Sequence, residues 1–139
     1  MSIRASPTSS RPSARTSEPA SAAQVIGGGV LGAVAAIALG QIAYQAAGGG
    51  RLCGDDPCGL VVGILSTAIF EPVLVPLGAH FANHRRGNLG LSFLASSAAG
   101  AGALLLWNAT ETPDPFVALA PIAQIAVAAL VERATSHQE

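Results

Sequence analysis

Residues 59–82 read GLVVGILSTAIFEPVLVPLGAHFA, an apolar run that one acid, Glu71, interrupts near its middle. At a rise of about 1.5 Å per residue, a helix of this length crosses the hydrocarbon core of a bilayer. A carboxyl group at that depth is energetically expensive, so it is expected to face other helices and is a functional candidate by default. The run therefore predicts a membrane-spanning helix with a buried acid.

The composition of the whole chain supports a membrane protein. Half of its 139 residues are apolar and 11% are charged, and the apolar stretches have no polar face. A helix that is apolar all round lies in a large core or in lipid, and a chain of this length cannot build a large core. The formal net charge is −1, and there is no clustered basic surface to follow a nucleic-acid backbone. We therefore expect no nucleic-acid partner.

Four apolar runs predict an all-α fold, a bundle of four transmembrane helices arranged as two antiparallel hairpins. The first three runs reach about 28 to 36 Å, whereas the fourth reaches about 24 Å unless its flanking residues extend the helix. Residues 1–23 are rich in Ser, Pro and Arg without apolar periodicity, which predicts a disordered tail, and residues 134–139 are expected to form a short C-terminal tail. The expected spans are residues 25–47, 59–82, 89–107 and 116–131.

Arginine is concentrated in the N-terminal tail, in the loop after the second run and at the C-terminus. This asymmetry predicts an inner-membrane protein with both termini in the cytoplasm. Cys53 and Cys58 would then lie outside, where a disulfide can persist; the alternative is two unpaired cysteines. Residues 20–24 resemble a signal-peptidase site but lack the preceding apolar segment. A signal encoded upstream would invert the orientation and open an outer-membrane alternative, which the absence of period-two alternation disfavours.

Small residues recur at four-residue spacing in these runs, and such stripes let helix backbones approach closely in lipid. Glu71 continues the stripe of the second run, and Gln124 lies on that of the fourth, so both side chains are expected to face other helices. The predicted packing residues are Gly28, Gly32, Ala36 and Gly40 in the first run, Gly59 and Gly63 in the second, and Gly100 in the third.

Four polar residues fall near the midpoints of their spans and are expected to meet in one layer: Glu71, Gln124, Ser96 and Ser97. The two prolines that follow the acid leave backbone carbonyls without helical partners, which makes this layer more polar. In one interpretation, Glu71 binds or relays a proton or a small cation. In the other, it is protonated and hydrogen-bonded to Gln124 or a serine, and it fixes the packing of the helices.

His80 and His84 are four residues apart, which would place them on one helical face. The spacing is that of zinc proteases, but Phe81 stands where those enzymes have a glutamate. We therefore predict no metal site and interpret the histidines as interfacial residues that help Arg85 and Arg86 to anchor the helix end. The sequence has no catalytic triad order, P-loop or dinucleotide-binding pattern. We predict a protein that is not an enzyme and has no cofactor.

Three segments resemble small Gly/Ala-rich membrane proteins of the glycine-zipper type in bacteria: VPLGAHFANHRRGNL at 75–89, PIAQ at 121–124 and VERAT at 131–135. The resemblance implies no activity. The bilayer is the first expected partner, and a second copy or a larger membrane complex would bind through the small-residue helix faces. The expected function is structural or accessory. The alternative is a transport protein that handles protons or cations through an intramembrane carboxylate.

Overall fold

The computed structural model of the protein describes residues 20–46, 57–109 and 114–136. Within these ranges the chain forms helices and no strand: α1 (Ala22–Ala46), α2 (Pro57–Ala82), α3 (Leu89–Ala109) and α4 (Asp114–Ser136). The predicted all-α, four-helix fold is confirmed. The N-terminal tail as far as residue 19 and the Cys53 half of the expected disulfide lie outside the described residues.

The helices pair as two hairpins. α1 packs along α2, and α3 packs along α4. α2 also contacts both helices of the second hairpin, and α1 contacts α4. α2 and α4 therefore join the two hairpins, and the buried polar residues lie on α2, α3 and α4 and in the turn after α2.

Three helices are long and apolar enough to cross a membrane: Ala22–Ala46, Val62–Ala82 and Leu89–Leu106. The described part of α4 does not meet this criterion. The helix continues past the expected end at residue 131 to Ser136, the last described residue, so residues 134–136 of the expected tail are helical. The Thr135 and Ser136 hydroxyls donate to the carbonyls of Val131 and Arg133 in the preceding turn. α4 is thus about 34 Å long, but its last turns are polar.

The bundle has small and polar residues inside and large apolar residues outside. The fully buried positions include Ala36, Ala79 and Ala128, whereas Leu31 and Leu105 are each 71% exposed. A protein folded in water buries its large aliphatic side chains, since their burial drives folding. Here the aliphatic side chains cover the outer surface of the bundle, which fits hydrocarbon as the surrounding solvent.

α1 and α2 touch backbone to backbone over the glycine stripe of α1. A Cβ added at Gly32 would lie 2.9 Å from Val75 Cα and closer still to the Leu74 backbone. Farther along, an added Cβ at Gly28 would overlap the Gly78 carbonyl oxygen, and one at Gly40 would overlap the Thr67 hydroxyl. This is the close approach that small residues permit in lipid.

The other predicted packing residues are placed as follows. Ala36 is fully buried, and Gly63 faces Tyr44 across the hairpin. Gly59 lies in the first turn of α2, where the backbone alone is described. α2 stays helical through Pro72 and Pro76, and Pro76 is buried in the segment that α1 crosses most closely. The stripe of α1 is therefore occupied within the chain.

The contact at Gly32 predicts an unfavourable effect of a single methyl group. Gly32→Ala should destabilise the folded protein by about 1 to 3 kcal/mol, because the methyl group meets backbone atoms that cannot rotate away. Gly27→Ala in the same helix is the matched control, since nothing lies within 4 Å of its added Cβ. It should be neutral or stabilising by up to about 1 kcal/mol. Reversible unfolding in mixed micelles measures both, and equal stabilities for the two variants would contradict the packing.

Candidate functional site

Three of the four predicted polar residues form a hydrogen-bonded chain across three helices. The Gln124 Nε2 group of α4 donates to Glu71 Oε2 of α2 at 3.4 Å, and the Ser96 hydroxyl of α3 donates to Gln124 Oε1 at 3.2 Å. Glu71 is 7% exposed and Gln124 is 2% exposed. We call these three residues the Glu71 cluster. The stripes correctly indicated that its acid and its amide point into the bundle.

Gly100 and Ser97 lie next to the Glu71 cluster without belonging to it. A Cβ added at Gly100 would lie 2.8 Å from Gln124 Nε2, so this glycine makes room for the amide group. Ser97, expected in the same layer, is half-buried and is not part of the hydrogen-bonded chain. Successive helix positions point about 100° apart, so Ser96 and Ser97 cannot both face Gln124.

A second acid, Glu132, is buried more completely than Glu71. Its side chain is fully inaccessible, and residues from α2, α3 and the turn between them surround it. The Ser92 hydroxyl donates to Oε1 at 2.7 Å, and His80 Nδ1 lies 3.1 Å from Oε2. Asn83 Nδ2 donates to the Glu132 carbonyl at 3.2 Å and reaches Oε2 at 3.5 Å. We call these four residues the Glu132 cluster.

The turn between α2 and α3 closes over the Glu132 cluster. A Cβ added at Gly87 would overlap Glu132 Oε2, so this position has to lack a side chain. One residue later, the Asn88 N–H group donates to the Thr135 hydroxyl at 2.8 Å. The turn is therefore fastened to the last turns of α4, and the carboxylate is enclosed by three segments distant in sequence.

Sequence reasoning missed the Glu132 cluster, although its signal was present. On α4, steps of four residues from Gln124 reach Ala128 and then Glu132. On α2, three steps of four residues from Glu71 reach Asn83. The intervening positions Val75, Ala79 and Ala128 are fully buried. They form an apolar layer between the two polar clusters.

The expectation for the two histidines was wrong in one respect. α2 ends at Ala82, and His84 follows in a left-handed conformation with φ of 55°, so it does not share a helical face with His80. His80 instead faces Glu132. Arg85 remains at the end of the helix, where its guanidinium lies over the Phe81 ring at 4.9 Å from the centroid. Among the described residues, no group of three or more His, Cys, Asp or Glu side chains could hold a metal ion.

Comparison with family models, with curated proteins and with solved structures finds no match for this chain. The geometry itself describes a helical bundle with two buried carboxyl groups at different depths. Glu132 has polar contacts with three other residues: the Ser92 hydroxyl at 2.7 Å, His80 Nδ1 at 3.1 Å and the Asn83 amide at 3.5 Å. Within the described part of the chain, Glu71 has a side-chain hydrogen bond from Gln124 alone, and that bond is long. The two acids are therefore held with very different strength.

Removing the second carboxyl group should have a large effect on stability. Glu132→Ala leaves Ser92, Asn83 and His80 without their shared acceptor and should cost about 2 to 4 kcal/mol. Arg133→Ala, one residue later and exposed, should change stability by less than about 0.5 kcal/mol. Unfolding in mixed micelles provides the comparison. A Glu132 variant as stable as the Arg133 variant would show that the cluster does not hold the bundle together.

Proposed function

We propose that the protein is a small integral membrane protein with a structural or accessory role. The observation that carries the proposal is the reversed distribution of side chains, with aliphatic residues outside and hydrogen-bonded polar residues inside. The proposed orientation places both termini and the turn between α2 and α3 in the cytoplasm, following the arginine asymmetry. The glycine-zipper resemblance is consistent with this role and adds no activity to it.

Association with a second copy or a larger complex would use the outer surface of the bundle. The glycine stripe of α1 is not available to a partner, because α2 covers it. Two glycines have open space beside them: Gly27 on α1 and Gly102 on α3. Since α1 and α3 do not pack together within the described residues, the two glycines belong to separate helix faces. Small residues on such faces allow another helix to approach.

A charge placed on the outer surface tests whether that surface meets lipid. Leu31→Arg puts a guanidinium at an exposed site in the middle of α1 and should reduce membrane insertion by about 2.5 to 3.5 kcal/mol. Ala23→Arg, exposed in the first turn of the same helix, is the control, because an arginine there can reach the interface. Alkaline extraction of membranes and a glycosylation-site insertion assay measure the difference. If both variants insert equally well and the Leu31 variant becomes more soluble, water and not lipid covers this face.

A second candidate function, the handling of protons or small cations, is favoured by one observation about Glu71. Its hydrogen bond from Gln124 is 3.4 Å long, whereas the Glu132 carboxyl group has two shorter contacts, with Ser92 at 2.7 Å and with His80 at 3.1 Å. A weakly held carboxyl group in the membrane interior can gain or lose a proton or bind a cation without dismantling its surroundings. We propose that Glu71 is the exchanging group if the protein conducts, and that Gln124 and Ser96 position it.

Glu71→Gln distinguishes the structural function from the conducting one. The new amide keeps the shape of the side chain and still accepts from Gln124, so the protein should fold and insert normally. If Glu71 carries protons, flux in proteoliposomes driven by a pH gradient should fall to the level of empty vesicles. Ser97→Ala is the matched control, because Ser97 lies beside the cluster without joining it. Wild-type protein that gives no flux would leave the structural role as the function.

A further inference from the structure

One end of the bundle gathers basic side chains from two separate elements. The turn after α2 carries Arg85, which is exposed, and Arg86, which is half-buried. The hydrogen bond from Asn88 to Thr135 brings the last turn of α4 to the same place, and with it the exposed Arg133. Three arginines separated in sequence by up to 48 positions, from 85 to 133, are thus at one end of the fold.

The described acid at this end, Glu132, lies in the interior and is not on the surface beside Arg85 and Arg133. Among the residues whose side chains the structure describes, Glu132 is the acid nearest to the turn, and it is fully buried. Its oxygens face Ser92, His80 and Asn83 in the interior. Among the described residues, the exposed charged side chains at this end, Arg85 and Arg133, are therefore basic, and they adjoin the apolar outer surface of the bundle.

His84 and Arg85 have a left-handed backbone conformation, which glycine adopts at a lower energy. The Arg85 N–H donates to the His80 carbonyl at 2.9 Å, and the His84 N–H donates to the Phe81 carbonyl at 3.1 Å. This pair of bonds is the Schellman motif, whose left-handed residue is usually glycine. Here His84 and Arg85 have φ of 55° and 61°. Residues other than glycine are uncommon in this conformation, and strained positions of this kind cluster at functional sites.

Phe81 contacts Arg85 at the end of the apolar segment of α2. The Phe81 ring is 51% exposed on the last turn of α2, where the apolar segment Val62–Ala82 ends. The Arg85 guanidinium carbon lies over this ring, 4.9 Å from its centroid, which is a cation–π contact. A guanidinium has five N–H donors, which can match the oxygens of a phosphate in pairs. An arginine at the edge of an apolar segment lies at the level of lipid headgroups.

We propose that this end of the bundle, formed by His84, Arg85 and Arg133, binds the phosphate of an anionic phospholipid. Arg85 binds the phosphate with its N–H groups, Arg133 adds a second charge from α4, and Phe81 contacts the upper part of the acyl chain. A lipid is the occupant, and not free phosphate, because the basic side chains adjoin a surface that is already apolar. The inference rests on the proposed membrane location, which the Leu31 experiment tests separately.

Native mass spectrometry of the full-length protein, released from micelles titrated with phosphatidylglycerol or phosphatidylcholine, tests the site. Wild-type protein should bind phosphatidylglycerol more tightly than phosphatidylcholine. Arg85→Gln and Arg133→Gln should each weaken phosphatidylglycerol binding about fivefold, the expected share of one basic residue near an anionic surface. Arg85→Lys should lose part of the affinity, because it keeps the charge without the paired N–H groups. Arg51→Gln is the control, since Arg51 lies in sequence between α1 and α2 and belongs neither to the turn after α2 nor to α4.

Three results would overturn the proposal. Equal affinity for the two lipids would remove the role of charge, and an equal loss in Arg51→Gln would show a response to net charge alone. Displacement of phosphatidylglycerol by glycerol phosphate at matched concentration would identify a site for soluble phosphate. Circular dichroism checks that each variant keeps its helices. If Arg85→Gln loses helix, Arg133→Gln becomes the test of lipid binding, because Arg133 is exposed on a helix and is not in a strained turn.

Discussion

Helices surrounded by hydrocarbon cannot be driven together by burying apolar side chains, because lipid solvates those side chains as well as a protein core does. Everything that holds this bundle together follows from that constraint. The first hairpin uses close backbone contact, with Gly28 and Gly32 of α1 against α2. The second hairpin and the junction between the hairpins use hydrogen bonds between buried side chains. Close backbone packing therefore stabilises the α1–α2 hairpin, and hydrogen bonds between buried side chains stabilise the α3–α4 hairpin and its contact with α2.

The two buried acids differ in their surroundings, and this difference suits one to stabilising the fold and the other to exchanging a proton or a cation. Glu132 is enclosed at the end of the bundle, where three side chains converge on it and Gly87 leaves space for it. Glu71 lies deeper, beyond the apolar layer of Val75, Ala79 and Ala128, with Gln124 as its neighbour. A strongly held carboxylate stabilises a fold, whereas a weakly held one remains available for chemistry. Glu132 fits the proposed structural function, and Glu71 fits the proposed transport function.

The fold class and the Glu71 cluster could be predicted because they depend on local regularities. Apolar run length gave the helices, and four-residue spacing placed Glu71 and Gln124 on interior faces. Glu132 escaped prediction because the fourth run was ended at the first charge, although a helix continues past a charge that finds buried partners. Its contact with His80 spans 52 positions, so it depends on how the hairpins dock. The left-handed His84 could not be foreseen either, since glycine normally marks such a position.

The residues that surround Glu132 are synthesised before Glu132 itself. His80, Asn83 and Ser92 are made 40 to 52 residues before the acid that they serve. While the first three helices leave the insertion machinery, this polar niche has no occupant from α4. The described part of α4 is not apolar enough by itself to count as a membrane span. Its carboxyl group meets polar groups that α2, α3 and the turn between them already carry, so the earlier helices offer α4 a specific docking position.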